Sequence, residues 1–506
     1  MRQRSAAIPD LPTPRKRPGM LAPARPAAHV EDMPISAAYR PDPVFMRLGP
    51  EFADPVAPAD FPQTILRFRN DRAAASVGLE GLSDAEWLER FARFKPLPDN
   101  QPGPLAVRYH GHQFRTYNPD LGDGRGFLFA QLRERGTDRL LDLATKGSGQ
   151  TPWSRAGDGR LTLKGGVREI LAASMLEALG VPTSRAFSLV ETGEDLVRGD
   201  EPSPTRSAVL TRLSHSHIRF GTFQRQAFLQ RPDNIAVLVD HAVETYFPQA
   251  ADEPDRPKVL LEQVVAASAR LLARWMAAGF VHGVLNTDNM VVTGESFDYG
   301  PWRFLPQNDP NFTAAYFDHS GLYSFGRQPE TVFWNLQQLA GCLAQVTDDA
   351  GLIAALNGFS DLYRDSLRAA MLDRLGLKSR SADEDLALVQ AAFVALASGG
   401  ESLRWEPFFF DWFGGEASRA RALAGPRADL YGQEAFLDFR RRLAGFETDR
   451  PERLESPVFA RSEPEEMLID EVEALWAPIA EADDWSALEA KLGRIEAARV
   501  AYALGD

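Results

Sequence analysis

A chain of 506 residues with 44% hydrophobic and 25% charged residues carries enough apolar material for a sizeable core, in about two to four units, and lies away from disordered and membrane compositions. Its net charge of −14 excludes a general nucleic-acid binder, which needs a concentrated basic face. No run approaches the roughly 20 apolar residues of a membrane-spanning helix, and Cys342 as the single cysteine excludes an intramolecular disulfide and any multi-thiolate metal site.

Residues 1–30 are rich in Pro, Ala and Arg, poor in acids and without a continuous apolar stretch, which predicts a disordered tail. A cytoplasmic monomer is expected, with an organellar presequence as the alternative reading of the tail. Val44-Phe45-Met46 and the stretch from Phe61 to Phe68 read as short packing segments, and Ser83 reads as the N-cap of a helix. Between residues 105 and 225 short β-type runs alternate with turns and one helix, so 31–225 is expected to form a sheet-rich N-terminal lobe.

Within that lobe Gly-Asp-Gly-Arg occurs at 122–125 and again at 157–160. Each quartet by itself reads either as a hairpin turn or as a loop whose backbone N–H groups line a phosphate pocket. The run Leu140 to Thr145 reads as a strand that delivers Lys146. Val167, Ile170, Leu171, Met175 and Leu179 recur at helical spacing, which predicts a helix over 167–179 with Glu169 in its first turn and Gly180 as its stop. Strands are expected at 184–190, 195–198 and 207–213. From 226 to 506 the pattern is helical, with the clearest helix over Val259 to Met276 leading into a loop that starts at Phe280.

That loop reads His282-Gly283-Val284-Leu285-Asn286-Thr287-Asp288-Asn289, and Asp298-Tyr299-Gly300 follows nine residues after Asn289. Amide and carboxylate oxygens across a short hairpin suit a hard cation such as magnesium, with manganese as the alternative metal, and Asp288 would be free to receive a proton. A strand lysine, a helix glutamate, an Asp and an Asn–Asp metal pair together resemble the protein-kinase arrangement. Two departures disfavour an ordinary kinase: Asp288 and Asn289 are adjacent, and no Gly-x-Gly-x-x-Gly precedes Lys146.

A more specific resemblance rests on a series of motifs in order. These are Tyr109-His110-Gly111-His112-Gln113-Phe114, the first quartet, Lys146-Gly147-Ser148-Gly149-Gln150-Thr151-Pro152 and Ser154-Arg155-Ala156 with the second quartet. Arg212, Ser216-His217-Ile218-Arg219-Phe220-Gly221, the loop ending in Met290, Phe297-Asp298-Tyr299-Gly300-Pro301, Gln328-Pro329 and Trp334-Asn335-Leu336 continue it. Dense over 40–345 and looser beyond, this series resembles the selenoprotein O (YdiU) family.

The resemblance implies an α+β, protein-kinase-like, two-lobed fold that binds ATP flipped and transfers AMP to Ser, Thr or Tyr hydroxyls of proteins, its own hydroxyls among the candidate acceptors. It implies Asp288 as catalytic base, Asn289 and Asp298 as magnesium ligands, and Lys146 with Glu169 as the ion pair. Gly122, Gly124 and Arg125 match nucleotide contacts of the first turn, Asp158 and Gly159 those of the second, and Arg212 and Arg219 the arginines on the terminal phosphates. A phosphotransferase using the γ-phosphate and an inactive nucleotide-binding scaffold are the rival readings. Two features depart from the family: Cys342 alone offers no thiol pair for redox control, and Arg115 stands where glycine is usual. His110, His112, His215 and His217 read as structural histidines of the sheet lobe.

Overall fold

Alternating apolar residues build an antiparallel sheet in the N-terminal half of the computed structural model, which describes residues 33–199 and 201–504. The tail read for residues 1–30 lies outside the described residues. The strands are β1 (Ala53–Pro55), β2 (Ile65–Arg69), β3 (Leu105–Val107), β4 (Gly111–Gln113), β5 (Thr116–Asn118), β6 (Leu128–Arg133), β7 (Leu140–Lys146), β8 (Leu161–Thr162), β9 (Arg185–Leu196) and β10 (Thr205–Ser214). The sheet runs β1-β3-β6-β7-β10-β9-β2, with β8 also on β10, while β4 and β5 form a separate hairpin. Every residue of β7 is buried, as expected of a central strand covered on both faces.

Two sequence expectations change here. The runs expected at 184–190 and 195–198 merge into one strand, β9, which ends at Leu196, because Gly193 at φ 73° sits within the strand and does not end it. The helix expected from Val167 instead begins at Leu163, where the Thr162 side chain caps the Gly165 N–H at 3.1 Å. Glu169 therefore lies in the second turn of α3 (Leu163–Ala178), after two short helices, α1 (Asp71–Ser76) and α2 (Asp84–Phe91), that precede it. The Gly165-Gly166 pair hid this start. Gly166 is used for close approach: a Cβ there would lie 2.4 Å from Leu189 Cδ1 on β9. Ser83 caps α2 as expected, in a reciprocal capping box with Glu86.

The C-terminal half is helical. It contains α4 (Phe220–Phe228), α5 (Pro232–Tyr246), α6 (Arg256–Ala277), α7 (Gln328–Leu343), α8 (Asp349–Asn357), α9 (Phe359–Leu375), α10 (Ala382–Gly399), α11 (Trp405–Trp412), α12 (Arg419–Ala424), α13 (Ala428–Tyr431), α14 (Leu437–Leu443), α15 (Ile469–Ala482) and α16 (Ser486–Tyr502). The α6 helix buries residues on nearly every turn and delivers the chain into β11 (Phe280–His282), which pairs with β12 (Trp302–Phe304). That small antiparallel pair brackets the segment carrying Asp288, Asn289 and Asp298. Contacts from Pro34 onward form one compact unit whose apolar core runs from Val44 to Tyr502. Within it α15 and α16 pack against α3, so the far C-terminal region braces the helix that holds Glu169. No helix among the described residues is long and apolar enough to cross a membrane.

Candidate active site

Strand period and register place the basic residues first. Lys146 ends β7, and in the β7–β10 ladder Leu210 faces Lys146 while Arg212 faces Ala144, so Lys146 and Arg212 share one face of the sheet. Beyond β10, residues 218–220 run beside the 290–292 segment, with Phe220 N–H donating to Met290 O at 2.9 Å and Val292 N–H to Ile218 O at 3.0 Å. This seats Arg219 beside the loop that carries Asp288. A cavity of about 660 Å³ results, lined by Gly122, Gly124, Arg125, Lys146, Asp158, Gly159, Arg212, Arg219, Asp288 and Asp298. Glu169 and Asn289 are not part of that lining; Glu169 pairs with Lys146, and Asn289 follows Asp288 in the chain.

The groups form one coupled cluster. Lys146 Nζ donates to Glu169 Oε1 and, at 2.5 Å, to Asp298 Oδ1. Arg212 Nη1 lies 3.6 Å from Glu169 Oε2 and 3.7 Å from Asp298 Oδ1. Burial alone would raise the Asp298 carboxyl, but Lys146, Arg212 and Arg219 outweigh it and hold the group well below the usual carboxylate range. Asp288 is treated oppositely. Burial pushes it up to about 7, with Arg219 opposing and the Asp298 charge adding. Its Oδ1 has no hydrogen-bond partner among the described residues. A Cβ on Gly111 would lie 2.9 Å from that oxygen, so the β4–β5 hairpin approaches Asp288 as closely as glycine permits.

Side chains from helices and the hairpin fix the loop. Gln328 on α7 accepts from His282 N–H at 3.0 Å and donates to Phe280 O at 3.0 Å, while Asn335 donates to Leu285 O at 3.0 Å. Asn286 Oδ1 accepts from Tyr323 OH at 2.6 Å and from Phe114 N–H at 3.2 Å. Thr287 Oγ1 accepts from His112 N–H and donates to Gln224 Oε1, both at 2.7 Å. The Gln328-Pro329 and Trp334-Asn335 motifs are thus supports of the loop. Arg115 sits at φ 62°, the backbone region glycine favours, and pays for it with an ion pair to Glu330 at 2.7 Å and a place over the Trp334 ring.

The two quartets differ. In the first, Asp123 is buried, receives Val107 N–H at 3.2 Å and pairs with Arg219 Nη2 at 3.1 Å, so this is no hairpin turn but a loop tied to the cleft. The Arg125 side chain is exposed at the cavity and has no ion pair among the described residues. In the second, the exposed Asp158 receives both guanidinium nitrogens of Arg198, at 2.8 and 3.1 Å, and Gly159 turns at φ 71°. Sequence reasoning gave no role to Tyr109, Trp153, Arg155 or Phe297. Tyr109, Trp153 and Arg155 line the cavity, and Arg219 lies over the Tyr109 and Phe297 rings at 4.0 and 5.2 Å. Arg155 could have been found as the one cation of the Ser154-Arg155-Ala156 motif that leads into the second quartet.

His110 is structural as expected: Nε2 accepts from Arg225 at 2.9 Å, so Nδ1–H donates to Tyr117 OH at 2.8 Å. His112 bonds Gln224 at 2.7 Å. His217 departs from that pattern, since it lines the cavity with only its Nδ1 engaged, 3.1 Å from Asp142 Oδ2.

Among the described residues no group of three His, Cys, Asp or Glu side chains converges to hold a metal. The available donors are hard oxygens. Asn289 Nδ2 is committed to Val284 O at 2.8 Å, which leaves its carbonyl oxygen as the free end, and Asp298 is held ionised. This set fits a magnesium-type cation that takes its remaining ligands from phosphate and water.

A profile of the family described as protein adenylyltransferase SelO matches residues 35–496. A relative from Synechococcus elongatus named protein nucleotidyltransferase YdiU is 45% identical over 483 residues, covering 90% of this chain and 94% of its own. Another of that name from Trichodesmium erythraeum is 51% identical over 358 residues, covering 68% of this chain and 74% of its own. One from Pseudomonas putida is 38% identical over 395 residues, covering 78% of this chain and 79% of its own. With a match spanning nearly all the described residues and a cleft that gathers the motif residues, the chain belongs to the SelO family of nucleotidyltransferases.

Proposed function

We propose that the chain transfers AMP from ATP to Ser, Thr or Tyr hydroxyls of protein substrates, on a kinase-like frame with lobes at 31–225 and 226–506. The observation that carries this reading is the gathering of Lys146, Arg212 and Arg219 from the sheet side with Asp288 and Asp298 from the helical side around one cavity. In a chain of net charge −14, these are the local cations a triphosphate needs.

In the reaction the acceptor oxygen bonds to the α-phosphorus, the bond from the α-phosphorus to the α–β bridging oxygen breaks, and that oxygen leaves as part of pyrophosphate. Asp288 takes the hydroxyl proton; its unpartnered Oδ1 and a carboxyl pushed up to about 7 suit a base that works near neutrality. Arg212 and Arg219 stabilise the charge that grows on the departing pyrophosphate, a role suited to their planar forks. Glu169 keeps the Lys146 ammonium aimed, and Arg125, Asp158 and the glycines of the two turns bind the remainder of the nucleotide. Asn289 and Asp298 would hold magnesium, which supplies neutralisation of phosphate charge.

The test uses ATP labelled at either end. Purified protein incubated with lysate should transfer label from the α-position and none from the γ-position, and Asp288→Ala should abolish the signal. Label arriving only from the γ-position would replace this reading with phosphotransfer.

A further inference from the structure

Among the groups lining the cavity that the transfer reading leaves idle is a histidine, His217. Asp142, Ala144 and Lys146 alternate onto one face of β7, and Ala144, the smallest of them, registers with Arg212. Asp142 and Lys146 are four residue steps apart along the strand, roughly 13 Å at the usual rise per residue. Ala144 leaves the floor between them low. His217 stands over the Asp142 end of this floor and lines the same cavity as Arg212 and Arg219.

Its two nitrogens are used differently. Nδ1 faces Asp142 Oδ2 at 3.1 Å, and the other Asp142 oxygen accepts from Gln131 Nε2 at 2.7 Å, so that carboxylate is fixed in place. A carboxylate at Nδ1 keeps a proton there. Nε2 is buried and has no hydrogen-bond partner among the described residues. His110 spends both nitrogens inside the protein, on Tyr117 and Arg225, whereas His241 and His282 each leave one buried nitrogen unpartnered among the described residues; His217 differs from both in lining the cavity. A buried polar atom left over in a ligand cavity is one that a ligand completes.

We propose that His217 Nε2 is a further phosphate contact, donating a hydrogen bond to an oxygen of the leaving pyrophosphate at the inner end of the cleft. This rests on the transfer reading above. The surroundings decide between donor and acceptor: Lys146, Arg212 and Arg219 make the chamber one for anions, and a phosphate oxygen has only lone pairs to offer. With Nδ1 on Asp142 and Nε2 on a phosphate oxygen, both ring nitrogens have a partner. Asp142 is then the positioning residue that orients the ring.

The probes are inorganic pyrophosphate and AMP, each titrated into the full-length protein with magnesium by calorimetry. His217→Asn keeps an amide near the Nδ1 position for Asp142 but removes Nε2. It should weaken pyrophosphate binding on the order of tenfold, the effect of one charge-assisted hydrogen bond, and leave AMP affinity unchanged. His217→Gln, whose amide reaches the Nε2 position, should restore part of the loss. Asp142→Asn approaches from the other side and should also weaken pyrophosphate selectively, which keeps the question answerable should the first variant not fold. Unchanged pyrophosphate affinity in His217→Asn, or equal loss for both ligands, overturns the proposal. The α- and γ-label assay on the wild type is run alongside. Label from the γ-position together with the selective loss would sink the transfer reading and spare the phosphate contact; α-transfer without selectivity would do the reverse.

Discussion

The cleft cluster around Lys146 and a second cluster around Lys491 are made of the same parts, buried lysine, carboxylates and arginines, and they finish differently. Lys491 on α16 is fully buried, and its ammonium donates to Glu465 Oε2 at 2.9 Å, to Glu466 O at 2.6 Å and to Glu471 Oε1 at 2.6 Å. Glu465 Oε1 in turn takes Arg494 at 2.9 Å and Arg461 at 2.5 Å. In the cleft, by contrast, Glu169 Oε2, Arg212 Nε and Nη1, Arg219 Nε, His217 Nε2 and Asp288 Oδ1 all lack hydrogen-bond partners among the described residues. A complete network specifies structure, and an incomplete one in a cavity is held open for a ligand. Charge and burial alone do not separate the two; the count of unmet donors and acceptors does.

Breaking each cluster should therefore cost different things. The largest effect expected is on catalysis: Asp288→Asn should slow AMP transfer roughly 10²–10⁴-fold, the range for a lost general base, while raising the thermal midpoint, because a strained buried carboxyl has gone. A fall in both quantities would mean that Asp288 belongs to the framework. Next, Lys491→Met should lower unfolding free energy by about 3 kcal/mol in a denaturant titration, the lower end for a broken buried pair because Arg461 and Arg494 still serve Glu465. Transfer per folded molecule should not change, and a selective loss of activity would blur the contrast between the clusters.

Stability against pH, measured in metal-free buffer, sharpens the comparison further. Asp288 rises from an ordinary 3.8 to about 7 on folding, so between those values the folded chain binds more protons and its contribution to stability falls as pH rises. Glu465 goes the other way. Burial would raise it, but Lys491 and Arg461 outweigh burial and hold it below 4.5; its contribution is present above that value and is lost as pH falls through the lower folded one. Asp288→Asn should reduce the decline toward neutrality, part of which belongs to Glu466, also pushed up to about 7 by burial, and leave the acid limb intact. The smallest effect expected is Arg461→Gln, about 0–1 kcal/mol in the same titration, since Arg461 is 39% exposed and water screens its pair with Glu465.

Much of the cleft was legible because its residues sit in contiguous motifs. Lys146 ends a β-run, and Asp288, Asn289 and Asp298 lie within eleven residues of one another, so local pattern already joined them. What local pattern could not carry was long-range partnership. Asp123 reads as the tip of a turn until Arg219, far along the chain, is seen to claim it. His217 reads like His110 because both sit in histidine-bearing sheet motifs, and only the partner count at each nitrogen distinguishes them. The start of α3 was missed since Gly165-Gly166 looks like a break, whereas its purpose is set by Leu189 on another strand. Glu465 lies in an acidic stretch just before α15, and only the fold shows that it answers to Lys491 on α16.

The packing of α16 on α3 carries a consequence for how the molecule comes to life. A ribosome making this chain produces Lys146, Glu169, Asp288 and Asp298 well before residues 486–502, so for part of its synthesis a nascent polypeptide holds every reactive group yet lacks the buttress behind the Glu169 helix. If the proposed roles hold, competence arrives only after α16 has emerged and docked, and a translation product interrupted before it carries the cleft residues without the wall behind the Glu169 helix.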